Sequence, residues 1–191
     1  MRFQKILIIV SVVIAALSVL YAWIFCSGVF AQIAQVYTAA PEVTELHNAA
    51  QAFTELFQVL GVVYVLCIVL LFIMGCHSRR KYYITNYIAI GIAVAYMLVY
   101  SILLIVNLAN VAGLLSSTDL TGAQAAYSGI SHFDESMFGE FQTTSWTIPV
   151  GYVLVAIVLL DAVAICLNLL WKIKLMQGEK KLLENSVAEV A

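Results

Sequence analysis

Residues 148–171 read IPVGYVLVAIVLLDAVAICLNLLW, an apolar run of helix length with one ionisable residue inside it, Asp161. At 1.5 Å per residue, roughly 20 apolar residues cross a bilayer, so this run is long enough to span one. Three further runs match it in length and carry no charge: Ile6 to Cys26, Leu56 to Cys76, and one within Tyr82 to Val111. Over all 191 residues 63% are hydrophobic and 10% charged, against about 25% charged in soluble domains, and mean hydropathy is +1.00. The expected fold is all-α, an antiparallel four-helix transmembrane bundle forming a single domain. Its spans are placed at about 6–26, 56–76, 83–107 and 148–171.

The cations set the expected threading. Arg2, Lys5, Arg79, Arg80, Lys81, Lys172, Lys174, Lys180 and Lys181 lie before span one, between spans two and three, and after span four. The connections 27–55 and 112–147 contain no Lys or Arg. Because such residues are retained on the cytoplasmic side, both termini and the basic tail 172–191 are expected to be cytoplasmic, in a plasma membrane. The two loops are then outside, and they are acidic through Glu42, Glu45, Glu55, Asp119, Asp134, Glu135 and Glu140. That sign is wrong for a nucleic-acid partner. Arg79, Arg80, Lys81, Lys172 and Lys174 are the expected lipid-headgroup contacts.

Outward from span four, the remaining segments read as follows. The 21 apolar residues of Ile6 to Cys26 exceed the 7 to 15 of a signal-peptide core, so a retained span is expected. Ser11, Ala15, Ser18 and Ala22 fall on one helical face of it, small enough to let a neighbouring helix approach closely. Between spans one and two, Val29, Ile33, Val36 and Ala40 keep a helical period up to Pro41. A second stripe, Glu42, Val43, Leu46, Ala49, Ala50, Phe53 and Phe57, then leads into span two. The two first spans are thus expected to extend as helices outside the membrane and to meet at a turn around Pro41. On span three, Thr85, Ala89, Ala93, Tyr96, Tyr100, Asn107 and Asn110 share one face, expected to look into the bundle. The loop 112–147 exceeds the 12 to 15 residues usual for unstructured connections and is expected to fold over the end of the bundle. Thr147 is the expected cap of span four, with Pro149 tolerated in the first turn. The tail, with lysines beside Ile173, Leu175, Met176, Leu182 and Leu183, is expected to lie along the membrane surface.

Asp161 is the sharpest chemical signal. It sits ten residues from Trp171 and fifteen from Trp146, near the bilayer midplane, where an ionised carboxylate costs at least about 2.5 to 3.5 kcal/mol. It must be protonated, paired or hydrated. No Lys or Arg lies within a span, so the tyrosine hydroxyls of Tyr64, Tyr96 and Tyr100 are the expected donors, with Ser18 at similar depth. Asn168, on the same face, and Asn107 extend an intramembrane polar seam. A transporter usually carries further intramembrane ionisable groups or helices broken by Gly or Pro at midspan, and neither is present. The four cysteines, Cys26, Cys67, Cys76 and Cys166, lie in or at the ends of spans and offer no disulfide framework or zinc spacing. His132 and Asp134 are weak metal-ligand candidates in the second loop, and His47 lies near Glu42 and Glu45 in the first. No motif for a nucleotide, a metal-dependent hydrolase or a serine nucleophile occurs, so no cofactor is expected. The expected function is that of a non-enzymatic subunit, accessory or scaffold protein that meets lipids and either another membrane protein or its own copies. The alternative is a small proton- or cation-coupled transporter or channel built on Asp161.

Overall fold

A computed structural model describes residues 2–27, 29–76, 83–129 and 146–188, and every regular element among them is helical. In chain order these are α1 (Arg2–Ser27), α2 (Val29–Val36), a 3-10 turn (Pro41–Val43), α3 (Thr44–Cys76), α4 (Tyr83–Ser117), α5 (Thr121–Ser128) and α6 (Thr147–Ala188). Four segments are long and apolar enough to cross a membrane: Ile6–Phe25, Pro41–Leu71, Tyr87–Ser117 and Thr147–Lys174. The chain is an integral membrane protein on that ground. Arg79, Arg80, Lys81, His132 and Asp134 lie outside the described residues.

The four long helices pack in a ring, α1 against α3, α3 against α4, α4 against α6, and α6 back against α1. Lipid tails are as apolar as the core, so the ring is held by van der Waals fit and interhelical hydrogen bonds rather than by exclusion of water. Close fit is visible where α1 meets α3. There Gly61 leaves so little room that a Cβ would sit 3.3 Å from the Val19 backbone, while the small residues Ser11, Ala15, Ser18 and Ala22 of α1 are all fully buried. Gly151 plays the same part on α6, where a Cβ would collide with the Tyr21 hydroxyl and the Leu108 side chain. That gap lets the Tyr21 hydroxyl donate to the Thr147 carbonyl at 2.6 Å.

Above the middle of the bundle the interior is a ladder of rings. Phe30 stacks on Phe25 (5.0 Å between centroids), Phe25 on Phe53 (4.0 Å), Phe53 meets Phe57 (4.6 Å), and Phe57 meets Tyr100 edge-on (5.6 Å). The ladder continues through Tyr64 (5.4 Å from Tyr100) to Tyr96 (6.1 Å from Tyr64). Beyond its Phe30 end lies a cap. α2, the 3-10 turn, the first turns of α3 and α5 bury Ile33, Val36, Val43, Leu46, Ala123 and Tyr127 among themselves. Pro41 opens the turn between them, after the amides of Ala39 and Ala40 have both closed on the Val36 carbonyl at 2.9 Å.

Three features differ from the sequence expectation. α4 continues to Ser117, ten residues past 107, because its buried stripe of Leu104, Leu108 and Val111 is prolonged by the half-buried Leu115. The Ser116, Ser117 and Thr118 hydroxyls then donate to the Gly113 and Leu114 carbonyls and close the last turn. The tail is not a separate helix. α6 is one helix of 42 residues, about 63 Å long at 1.5 Å per residue, which carries the lysines on as a continuation of span four. Thr147 does not cap α6, since its hydroxyl is buried without a partner. The Val150 amide bonds instead to the Trp146 carbonyl at 3.1 Å, so the helix is entered from Trp146.

Candidate functional site

Asp161 is held by the face of α6 that also buries Leu154, Val158 and Ile165, and it is 5% exposed. Spacings of three and four residues put these side chains on the stripe that faces α1 and α4. The carboxyl therefore looks into its own bundle, and its partner comes from α1. The Ser11 hydroxyl donates to Asp161 Oδ1 at 2.9 Å, and it also lies 3.1 Å from the Leu7 carbonyl. One hydroxyl has one proton to give. With Asp161 ionised, Ser11 donates to the carboxylate. With Asp161 protonated, the acid donates to Ser11 Oγ and the serine proton turns to Leu7. The same pair of side chains thus stays bonded in either state.

The bundle interior holds further polar oxygens with no hydrogen-bond partner. Asp161 Oδ2, Tyr64 Oη, Tyr100 Oη and Ser101 Oγ are all buried and unpaired. Tyr64 is within electrostatic reach of Asp161. The Tyr100 hydroxyl lies next to Ser18, whose own proton goes to the Ile14 carbonyl at 3.0 Å, so Ser18 Oγ is oriented to accept from Tyr100. Buried polar groups are paired in the great majority of cases, and these oxygens depart from that pattern.

The polar seam read from the sequence divides in the structure. Asp161, Tyr64 and Tyr100 come together in the core. Tyr96 is half-buried and spends its hydroxyl on the Leu60 carbonyl at 2.6 Å, which ties α4 to α3 beside Gly61. Asn107 is half-buried and donates to the Leu103 carbonyl of its own helix at 2.8 Å. Asn110 is exposed, because Leu104, Leu108 and Val111 take the inward positions on that part of α4. Asn168 is half-buried two turns along α6 from Asp161. Lys172 is half-buried and Lys174 exposed, while Trp146 and Trp171 are exposed at 51% and 69% near the ends of span four.

Sequence reasoning named tyrosines as the partners of Asp161, and the donor observed is Ser11. The signal was present in the small-residue face of span one, where a serine among alanines is as fit for donating as for packing. Among the described residues no group of three His, Cys, Asp or Glu side chains is placed to hold a metal ion. Comparison with family models, with curated proteins and with solved structures finds no match to this chain.

Proposed function

We propose that this chain is a non-enzymatic subunit or accessory protein of a membrane complex, an antiparallel four-span bundle that presents its outer surfaces to a partner. The observation that carries the reading is the bond from Ser11 to Asp161 Oδ1. It commits the midspan carboxyl to clamping α6 against α1 inside the protomer, a structural use of a residue that is costly in the bilayer. What then faces outward is an apolar belt on all four helices, including Leu17, Leu66, Val99 and Leu160, and an acidic cap. Another membrane protein or further copies of the chain are the proposed partners, beside lipid.

The antiparallel arrangement is supported by the order of contacts. Ser11 meets Asp161 whereas Tyr21 meets Thr147, and Phe57 meets Tyr100 whereas Leu60 meets Tyr96. The placement of both termini on the cytoplasmic side of a plasma membrane, with the cap outside, is supported by the absence of Lys and Arg from 27–55 and 112–147.

Crosslinking in native membranes followed by pull-down of the tagged chain tests the proposal. A stable complex with a second protein, or with copies of itself, is expected. Recovery only as a lone monomer contradicts it.

A second reading, proton- or cation-coupled transport, is favoured by the unpaired Asp161 Oδ2, Tyr64 and Tyr100 oxygens. Asp161→Asn separates the two. An amide still accepts from Ser11, so assembly is retained under the first reading. Under the second, the loss of a titrating group abolishes pH-dependent flux in proteoliposomes.

A further inference from the structure

A groove of about 290 Å3 opens between α2 and α3 at the cap end of the bundle, away from Asp161. One wall is apolar, formed by Phe30 and Ala34 of α2. The other is polar, formed by His47, Gln51, Glu55 and Gln58 of α3. Steps of four, four and three residues put these last four on one helical face. They are fixed there by local contacts. The His47 ring lies flat on Tyr37, 4.1 Å away and 3° from parallel, and the Gln51 amide donates to Glu55 Oε1 at 2.8 Å. His47 Nδ1 is buried without a partner. The small side chains of Ala34 and Ala50 leave the space open.

Two observations narrow what the groove accepts. The first is depth. Along α3 the exposed residues through Glu55 include Glu45, Asn48 and Gln51, and those after it are Leu56, Val59, Val62, Val63 and Leu66. The polar end of the groove therefore coincides with the level at which the protein surface turns from polar to apolar, the depth of lipid headgroups. The second is charge. The connections 27–55 and 112–147 carry seven acidic residues and no Lys or Arg, a field that draws cations and repels anions. A hard divalent ion requires six or more oxygen ligands, whereas this groove offers one carboxylate, two side-chain amides and an apolar wall. That set suits a cation with carbon attached.

We propose that the groove binds an organic ammonium at the membrane surface, its nitrogen on Glu55 with Gln51 and Gln58 and its hydrocarbon part on Phe30, Ala34 and Ala50. The amine is supplied either by a phospholipid headgroup or by a soluble aliphatic amine. The site is distinct from the Asp161 cluster and holds whichever way the bundle is threaded.

The test uses the full chain in neutral detergent micelles and native mass spectrometry, with phosphatidylethanolamine and phosphatidylglycerol of matched acyl chains, and hexylammonium with hexanol as its uncharged control. Phosphatidylethanolamine is expected to be retained over phosphatidylglycerol and to be displaced by hexylammonium but not by hexanol. Glu55→Gln should weaken amine binding about tenfold, the scale of one charge-assisted contact. Ala34→Phe, at an exposed position, should weaken it by filling the groove without lowering the melting temperature. Glu45→Gln, a carboxylate outside the groove, should leave it unchanged. Binding of hexylammonium without phosphatidylethanolamine supports the site with a soluble amine as its ligand, and the reverse supports a lipid. No preference for either amine, or an equal loss in Glu45→Gln and Glu55→Gln, overturns the proposal.

Discussion

The two halves of the bundle interior solve the same packing problem with opposite materials. Toward the cap, Phe25, Phe30, Phe53 and Phe57 fill the space with rings, and the nearby Tyr21 hydroxyl is paired with the Thr147 carbonyl. Around Asp161 the interior holds Ser11, Tyr64 and, beside Tyr64, Tyr100, and the oxygens Asp161 Oδ2, Tyr64 Oη and Tyr100 Oη have no partner. The first half is largely aromatic, with the Tyr21 hydroxyl paired and Thr147 Oγ1 beside it left without a partner. The second carries unpaired polar groups whose desolvation opposes folding. The contrast implies that stability resides mainly in the ring ladder, with the Ser11–Asp161 bond as the link that the polar half adds between α1 and α6.

The largest effect that tests this contrast is expected at Phe53, which is 1% exposed and touches the rings of Tyr21, Phe25 and Phe57. Phe53→Ala should destabilise the bundle by about 3–5 kcal/mol, read from reversible unfolding in mixed micelles. A loss no greater than that of an exposed Leu→Ala on the same helix would break the comparison.

How much of this was legible beforehand follows the rarity of each signal. A lone carboxyl in an apolar run stands out, and so Asp161 was found, with Tyr64 and Tyr100 beside it. Phenylalanines do not stand out in a chain this apolar. The stripe through Phe53 and Phe57 was seen, but its junction with Phe25 and Phe30 depends on the register of α1 against α3, where Gly61 meets Val19. Ser11 was read for its size and not for its proton. The inward run of Asn107 and Asn110 failed for a related reason. A helical wheel ranks residues by angle alone, whereas neighbours along the helix axis decide which side of a polar arc is covered, and here Leu104, Leu108 and Val111 are covered instead. The length of α4 and of α6 was missed because loop length was counted from polarity, and polar residues continue a helix readily once its buried stripe persists.

The next effect in size sharpens the account of register. Gly61→Val forces the α1–α3 contact apart at Val19 and should cost about 1–3 kcal/mol through overpacking, measured in the same unfolding assay. Gly91, which has open space where a Cβ would go, is the matched control and should tolerate the change.

A finer comparison sets one paired tyrosine against one unpaired. Tyr21→Phe removes the bond to Thr147 and should lose about 0.6 kcal/mol, the average for interhelical hydrogen bonds in membranes. Tyr100→Phe removes a buried hydroxyl that has no partner and should be neutral or stabilising. If Tyr100→Phe is the more damaging of the two, the hydroxyl has a role in folding that its isolation does not suggest.

The smallest effect lies in the cap. Asp119 Oδ1 accepts from the Thr121 amide at 3.0 Å and from its hydroxyl at 2.8 Å, an Asx-type turn that leads into α5. The backbone bond first, and the hydroxyl second, hold the carboxyl below its usual range. A depressed value in the folded state means the contribution is present above the unfolded pKa and is lost as pH falls through the folded one. The protection of the Thr121 amide, its exchange rate relative to the intrinsic rate at the same pH, should therefore fall at acid pH, and Asp119→Ala should show the lower protection already at neutral pH.

The central claim is that Asp161 faces Ser11 within one protomer. Ser11→Cys combined with Asp161→Cys, in a chain whose four native cysteines are replaced, tests it by oxidative crosslinking in membranes. The account predicts a disulfide within the chain, seen as a reducible mobility shift at monomer size. Crosslinked dimers, or no crosslink where Ser11→Cys and Asp161→Cys are each reactive alone, would contradict it.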